Sequence, residues 1–194
     1  VRPDAFVEAL AAADFGQAFN FYRRGEGAEL RRSRLLAYLE ARADAPILLV
    51  GEAPGYRGTR ISGIPFTSER QLSGREPGEA TATVVHRVLA ELGIEDETLL
   101  WNAVPAHPHL PGRPLTNRRP TRSEVISGQP FLAALARGRR VIAVGRVAGA
   151  ALGLPNVRHP ARGGATAFRA GLLESGLGGR LVRRFVEGGG TPVG

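Results

Sequence analysis

Apolar and polar positions follow two different rhythms along the chain. Phe6, Leu10, Phe15 and Phe19 recur near helical spacing, which predicts a helix over 4–22 with Asp4 as its N-cap. A second helix is expected over 28–42, with Leu30, Leu35, Leu36 and Leu39 on its buried side and its arginines facing water. The rhythm then changes. Pro46-Ile47-Leu48-Leu49-Val50 is a short continuous apolar run, the pattern of a strand buried on both faces. Gly51-Glu52-Ala53-Pro54-Gly55 ends it at once, and residues 56–78 lack periodicity and are rich in Gly, Ser and Arg, so a long functional loop is expected there. Further helices are predicted over 80–92 (terminated by Gly93), from Thr121 with Glu124 three residues on as a capping box, over 146–152 and over 165–174. Strands are expected over 98–104, 140–144 and 156–158. The proline-rich stretch 105–114 fits neither helix nor central strand.

Strands and helices thus alternate from Pro46 onward, which implies a three-layer α/β/α fold with a four-stranded parallel sheet. A length of 194 residues suits one domain. The expected organisation is a single domain over 1–187, with a helical N-terminal part over 1–45, and a flexible tail over 188–194.

Composition removes several chemistries. The chain has no cysteine, which excludes disulfides, thiolate zinc sites, a cysteine nucleophile and cysteine-ligated iron–sulfur clusters. It has no lysine, so the phosphate-binding P-loop is excluded, and neither Gly-x-Gly-x-x-Gly after the first strand nor Gly-x-Ser-x-Gly occurs. No apolar run approaches the ~20 residues that span a bilayer. No membrane association, a cytoplasmic location and a monomer are the expectations.

The net charge is +8, and all 26 basic residues are arginine. A GC-rich genome and a polyanionic partner both account for that excess, and its location decides between them. Three loops, 51–66, 102–120 and 159–164, follow three of the strands. In a parallel sheet they gather at one edge. That edge would hold Glu52, Tyr56, Phe66, Asn102, His107, His109 and His159, three of the four histidines, with His86 left in mid-helix. Arg57, Arg60, Arg70, Arg113, Arg118, Arg119, Arg122, Arg158 and Arg162 lie in or beside the same loops, which favours the polyanion. His107, His109 and His159 lack an acidic or thiolate partner for a metal and read as ordinary loop histidines. No metal and no cofactor are expected.

Gly51-Glu52-Ala53-Pro54-Gly55, Gly63-Ile64-Pro65-Phe66, Asn102 at a strand end and His159-Pro160, in this order, resemble the uracil-DNA glycosylase superfamily. The closest branch is the one whose first motif reads Gly-Glu-Ala-Pro-Gly, and the similarity runs from about Pro46 to Leu173. The resemblance implies the same fold and a DNA glycosylase that hydrolyses the N-glycosidic bond of uracil or another deaminated base. It implies that Gly51, Ala53, Pro54, Gly55 and Tyr56 form or adjoin the pocket wall, that Phe66 stacks on the flipped base and that Asn102 reads its amide edge. It places His159 beside uracil O2 and leaves Glu52 as the only carboxylate of the first motif. The partner is then DNA, single- or double-stranded, with Arg113, Arg118, Arg119, Arg122 and Arg162 on its backbone. The chain departs from the pattern by lacking the four cluster cysteines, by carrying Ala53 where other branches place an aspartate, and by carrying Gly55 where some place a methyl-excluding tyrosine, a task open to Tyr56. Arg162 stands where a leucine wedge is absent, and Glu69 is a second carboxylate just beyond Phe66. A superfamily member that binds nucleic acid, a free base or a nucleotide without cleavage is the alternative, with a small-nucleotide hydrolase further off.

Overall fold

A computed structural model describes residues 2–177. The elements are α1 (Pro3–Ala12), α2 (Ala28–Ala41), β1 (Ile47–Gly51), α3 (Thr59–Ser62), α4 (Glu69–Ser73), α5 (Ala80–Glu91), β2 (Thr98–Asn102), α6 (Arg122–Ala136), β3 (Arg140–Val144), α7 (Arg146–Leu152), β4 (Asn156–Val157) and α8 (Ala165–Glu174). The strands form one parallel sheet in the order β2-β1-β3-β4. The α/β fold and its four parallel strands are as the alternation of elements implies. The expected tail, 188–194, lies outside the described residues. Among the described residues no helix is long and apolar enough to cross a membrane.

Period-two alternation sends the strand side chains to two cores. Leu48, Val50, Leu99 and Trp101 pack with Phe6, Leu10, Leu35, Leu39, Leu132 and Leu135 on one face. Ile47, Leu49 and Leu100 pack with Val85, Val88, Leu89, Phe168 and Leu172 on the other. Both faces of β1 and β2 are therefore covered, which is why their sequences are unbroken apolar runs. The edge strand β2 is closed in part by Tyr38, whose hydroxyl accepts from the Leu100 N–H at 2.7 Å.

Four expectations need correction. The first helix ends at Ala12, not Tyr22, because the Asn20 amide donates to the Leu10 and Ala13 carbonyls and closes its last turn. Asp4 lies inside that helix, after the N-cap Arg2, and pairs with Arg2. On α2, Leu30 is exposed while Arg31 is buried, since the Arg31 guanidinium supplies donors to the Phe21 and Glu26 carbonyls. The stretch 56–78 holds the two short helices α3 and α4 rather than loop alone. The Thr121–Glu124 capping box forms as its residues predict.

The candidate active site

The parallel register places Gly51 directly opposite Asn102 at the carboxyl ends of adjacent strands. β4 ends at Val157, two residues before His159, on the far side of β1 and β3. The loops that leave these ends enclose a cavity of about 230 Å³. Glu52, Ala53, Pro54, Gly55, Phe66, Asn102 and His159 line it, so seven of the nine expected catalytic and base-binding residues converge. Gly51 does not line the cavity but packs against two residues that do: a Cβ there would stand 2.9 Å from both Phe66 Cε2 and Asn102 Oδ1. Tyr56 is not in the wall; its backbone N–H donates to Asn117 Oδ1 at 3.0 Å, and Asn117 takes a place in the lining.

Phe66 sits at the turn of a self-bonded loop. The Ser62 hydroxyl donates to the Thr67 carbonyl at 2.6 Å, and Thr67 Oγ1 meets His86 Nε2 at 3.1 Å, tying the loop to α5. Phe66 itself has φ of 52°, a left-handed conformation unfavourable for a bulky side chain and held only by its surroundings. His86, whose Nδ1 also meets Glu95 Oε1 at 2.7 Å, supports that geometry from outside the cavity.

Asn102 is 5 % exposed, and among the described residues no hydrogen bond engages its side-chain amide. The buried polar side-chain atoms left without a partner among the described residues are Arg42 Nε and Trp101 Nε1, so the Asn102 amide is not orphaned but opens onto the cavity, free to meet a ligand. It is not the local strand cap that an asparagine at a strand end often provides.

His159 is oriented by the turn that follows it. The Ala161 backbone N–H donates to Nδ1 at 3.1 Å, so Nδ1 is an acceptor and the proton of the neutral ring lies on Nε2. Burial, aided by the nearby Arg158 charge, pushes its pKa down and keeps the ring neutral. Gly164 packs so tightly on the His159 carbonyl that a Cβ would overlap it. His107 and His109 lie elsewhere. His107 is fully buried, with Nδ1 on the Pro54 carbonyl at 2.8 Å and Nε2 near the Pro114 carbonyl at 3.3 Å. It fastens the motif loop to the proline-rich loop. Nδ1 of His109 faces the Leu110 carbonyl at 2.9 Å.

Two carboxylates face the cavity. Glu52 is half-buried, and burial raises its pKa while Arg119 opposes the rise. The second, Glu79, ends the loop before α5, where sequence alone marks it only as an acidic residue at a helix start. Its pKa is raised by burial, and among the described residues no hydrogen bond or ion pair holds its carboxylate. Thr59, Thr81, Pro108 and Asn117 complete the wall. Glu69 is elsewhere: Arg34 grips it at 2.7 and 3.0 Å and holds it below the usual carboxylate range.

Arg118 reaches the cavity, but its two terminal nitrogens bind Glu124 at 2.8 and 2.5 Å. The two side chains are only 14 % and 2 % exposed. Arg113, Arg119, Arg122 and Arg162 are exposed around the same edge. Among the described residues no cluster of His, Asp and Glu could hold a metal ion.

Comparison with curated proteins finds no match. The crystal structure of wild-type Pedobacter heparinus SMUG2 is similar, with a TM-score of 0.66 at 13% sequence identity, over 89% of this chain and 95% of that one. At that identity the likeness is one of fold. The sequence itself matches the Uracil DNA glycosylase superfamily over residues 39–182, a span that holds all four strands and every residue of the cavity wall. With its sheet, its strand-end motifs and most of its length accounted for in this way, the chain belongs to the uracil DNA glycosylase superfamily.

Proposed function

We propose that the protein is a DNA glycosylase that hydrolyses the N-glycosidic bond of uracil, or of another deaminated base, flipped out of DNA into this cavity. One observation carries the reading: a ring, an amide open to the cavity and engaged by no hydrogen bond among the described residues, and a neutral imidazole with Nε2 as its donor line one cavity. About 230 Å³ is below the roughly 300–1,000 Å³ of ordinary ligand pockets, which suits a single base. Extrusion removes the stacking and pairing of that base, and the site replaces both. Phe66 supplies a π-face. The Asn102 amide donates to uracil O4 and accepts from N3–H. His159 Nε2–H donates to O2.

Cleavage breaks the bond between N1 and C1′ and sends its electron pair into the uracil ring. Charge builds on O2, where a fixed neutral donor stabilises it without reorganising. Water adds to C1′. Glu52, at the carboxyl end of β1, is the carboxylate that faces the developing sugar cation and orients the water. Arg113, Arg119, Arg122 and Arg162 bind the backbone phosphates around the cavity. Arg118 acts through its pair with Glu124, by shaping the wall.

Single- and double-stranded oligonucleotides bearing uracil, hypoxanthine or xanthine test this, with alkali cleaving any abasic site formed. The expected result is strand cleavage at uracil, slowed about 10²- to 10³-fold by His159→Ala. Tight binding with no base released, from any of these substrates, contradicts hydrolysis and leaves a binding member of the superfamily.

A further inference from the structure

We propose that Glu79 sets the base specificity of this cavity, by presenting a carboxylate to the C4–C5 edge of the flipped base and barring a methyl group there. The inference deepens the reading of the site as a base pocket and rests on it.

The geometry begins with two glycines. A Cβ on Gly55 would stand 2.8 Å from Glu79 Oε1, and one on Gly58 would overlap Oε2. The loop after β1 therefore leaves its side-chain space empty, and the Glu79 carboxylate fills it. Glu79 is the N-cap residue of α5, yet its side chain accepts no hydrogen bond from that helix. It reaches into the cavity wall instead.

The sheet order says which edge of a base it meets. Asn102 ends β2 and His159 follows β4, on opposite sides of β1. A base held between them offers N3–H and O4 to Asn102 and O2 to His159. O2 adjoins N1, so the scissile bond lies toward His159. C5 lies beyond O4, on the side of Asn102. The space at Gly55 that Glu79 fills also borders Asn117, in the loop after β2. In the proposed pose the Glu79 carboxylate stands on the Asn102 side, against the C4–C5 edge and away from C1′. It is placed to select a base and not to activate water.

Selection follows from its surroundings. Glu52, Arg118 and His159 are the other ionisable groups in the wall, and Arg118 is already bound to Glu124. A carboxylate with no partner among the described residues accepts a hydrogen bond from a donor carried at C5. A methyl group in that place occupies the space and strips water from the carboxylate with nothing in return.

The test uses single-stranded oligonucleotides with 2′-fluorinated, cleavage-resistant nucleotides bearing uracil, thymine or 5-hydroxymethyluracil, and reads binding. Cleavage of the unmodified counterparts is measured beside it. Wild type is expected to bind uracil over thymine, and the hydroxymethyl base over thymine. Glu79→Ala should narrow the uracil-to-thymine ratio by roughly 10- to 100-fold, since one methyl group in a pocket is worth about that much. Glu79→Gln keeps the volume and the fold, and should shrink the preference for hydroxymethyl over methyl. If both variants keep the wild-type ratios, Glu79 is not the determinant. A wild-type protein that ranks the bases as stated but cleaves none refutes the glycosylase reading and leaves this one standing.

Discussion

Gly51 has no room for a methyl group, and the cost of adding one follows from the coordinates. The new Cβ in Gly51→Ala would lie 2.9 Å from Phe66 Cε2 and 2.9 Å from Asn102 Oδ1, with Phe66 Cζ nearer still. Carbon atoms pack best at about 3.5–4.0 Å, so the ring must withdraw by about 1 Å. Phe66 cannot pivot freely, because its backbone is left-handed and its loop is bonded through Ser62 and Thr67. Overpacking of this kind costs about 1–3 kcal/mol, or a fall of roughly 2–12 °C in Tm for a chain of this size. A displacement of about 1 Å in the site also lowers the rate by about 10²-fold. Thermal unfolding and single-turnover uracil release measure the two effects. A Phe66→Ala background removes the ring and leaves only Asn102 Oδ1 against the new Cβ, so the stability cost of Gly51→Ala should fall clearly below its value in the wild-type background. An equal cost in both backgrounds, or no change in Tm and rate, refutes the reasoning.

Three further perturbations have distinct signatures. Arg118→Ala leaves Glu124 buried without its cation and should cost about 3–5 kcal/mol in denaturant unfolding. Arg113→Ala with Arg119→Ala should leave stability alone and lower the salt slope of DNA binding by about one unit for each arginine replaced; an unchanged slope removes these residues from the backbone interface. Glu79→Gln should raise the unfolding midpoint at neutral pH. Burial lifts the folded pKa of Glu79 above its unfolded value, so the folded state binds the proton more tightly and loses stability as pH rises through the lifted value. Glutamine does not titrate, so the variant's advantage should vanish below the ordinary carboxylate value of about 4.3 and grow as pH rises from there through the lifted value. A margin that does not change with pH contradicts this.

Local signals carried much of the fold. The run 46–50 and its abrupt end at Gly51 marked the central strand, and the motif residues at successive strand ends marked the cavity, because a parallel sheet brings those ends together. What stayed hidden depends on contacts distant in sequence. Helix α1 stops because Asn20 folds back onto its carbonyls, and Arg31 is buried because a neighbouring loop needs donors. Nothing local distinguishes those residues from solvent-facing ones. Glu79 shows the same thing within the site, since its role depends on space left by Gly55 and Gly58, more than twenty positions away. Arg118 looked like a free cation in an arginine-rich loop, and only the packing of α6 gives it Glu124 as a partner.

The central claim is that Asn102 reads a flipped base that the enzyme then releases. The ratio of single-turnover rates on uracil and on cytosine, compared between wild type and Asn102→Asp, tests it most directly. The carboxylate replaces the donor to O4 with an acceptor, while the amino group of cytosine offers it a donor. A mismatched buried group costs about 1–3 kcal/mol, so the uracil-to-cytosine ratio should fall by roughly 5- to 150-fold. An unchanged ratio in a folded variant that still releases uracil would contradict base reading by Asn102.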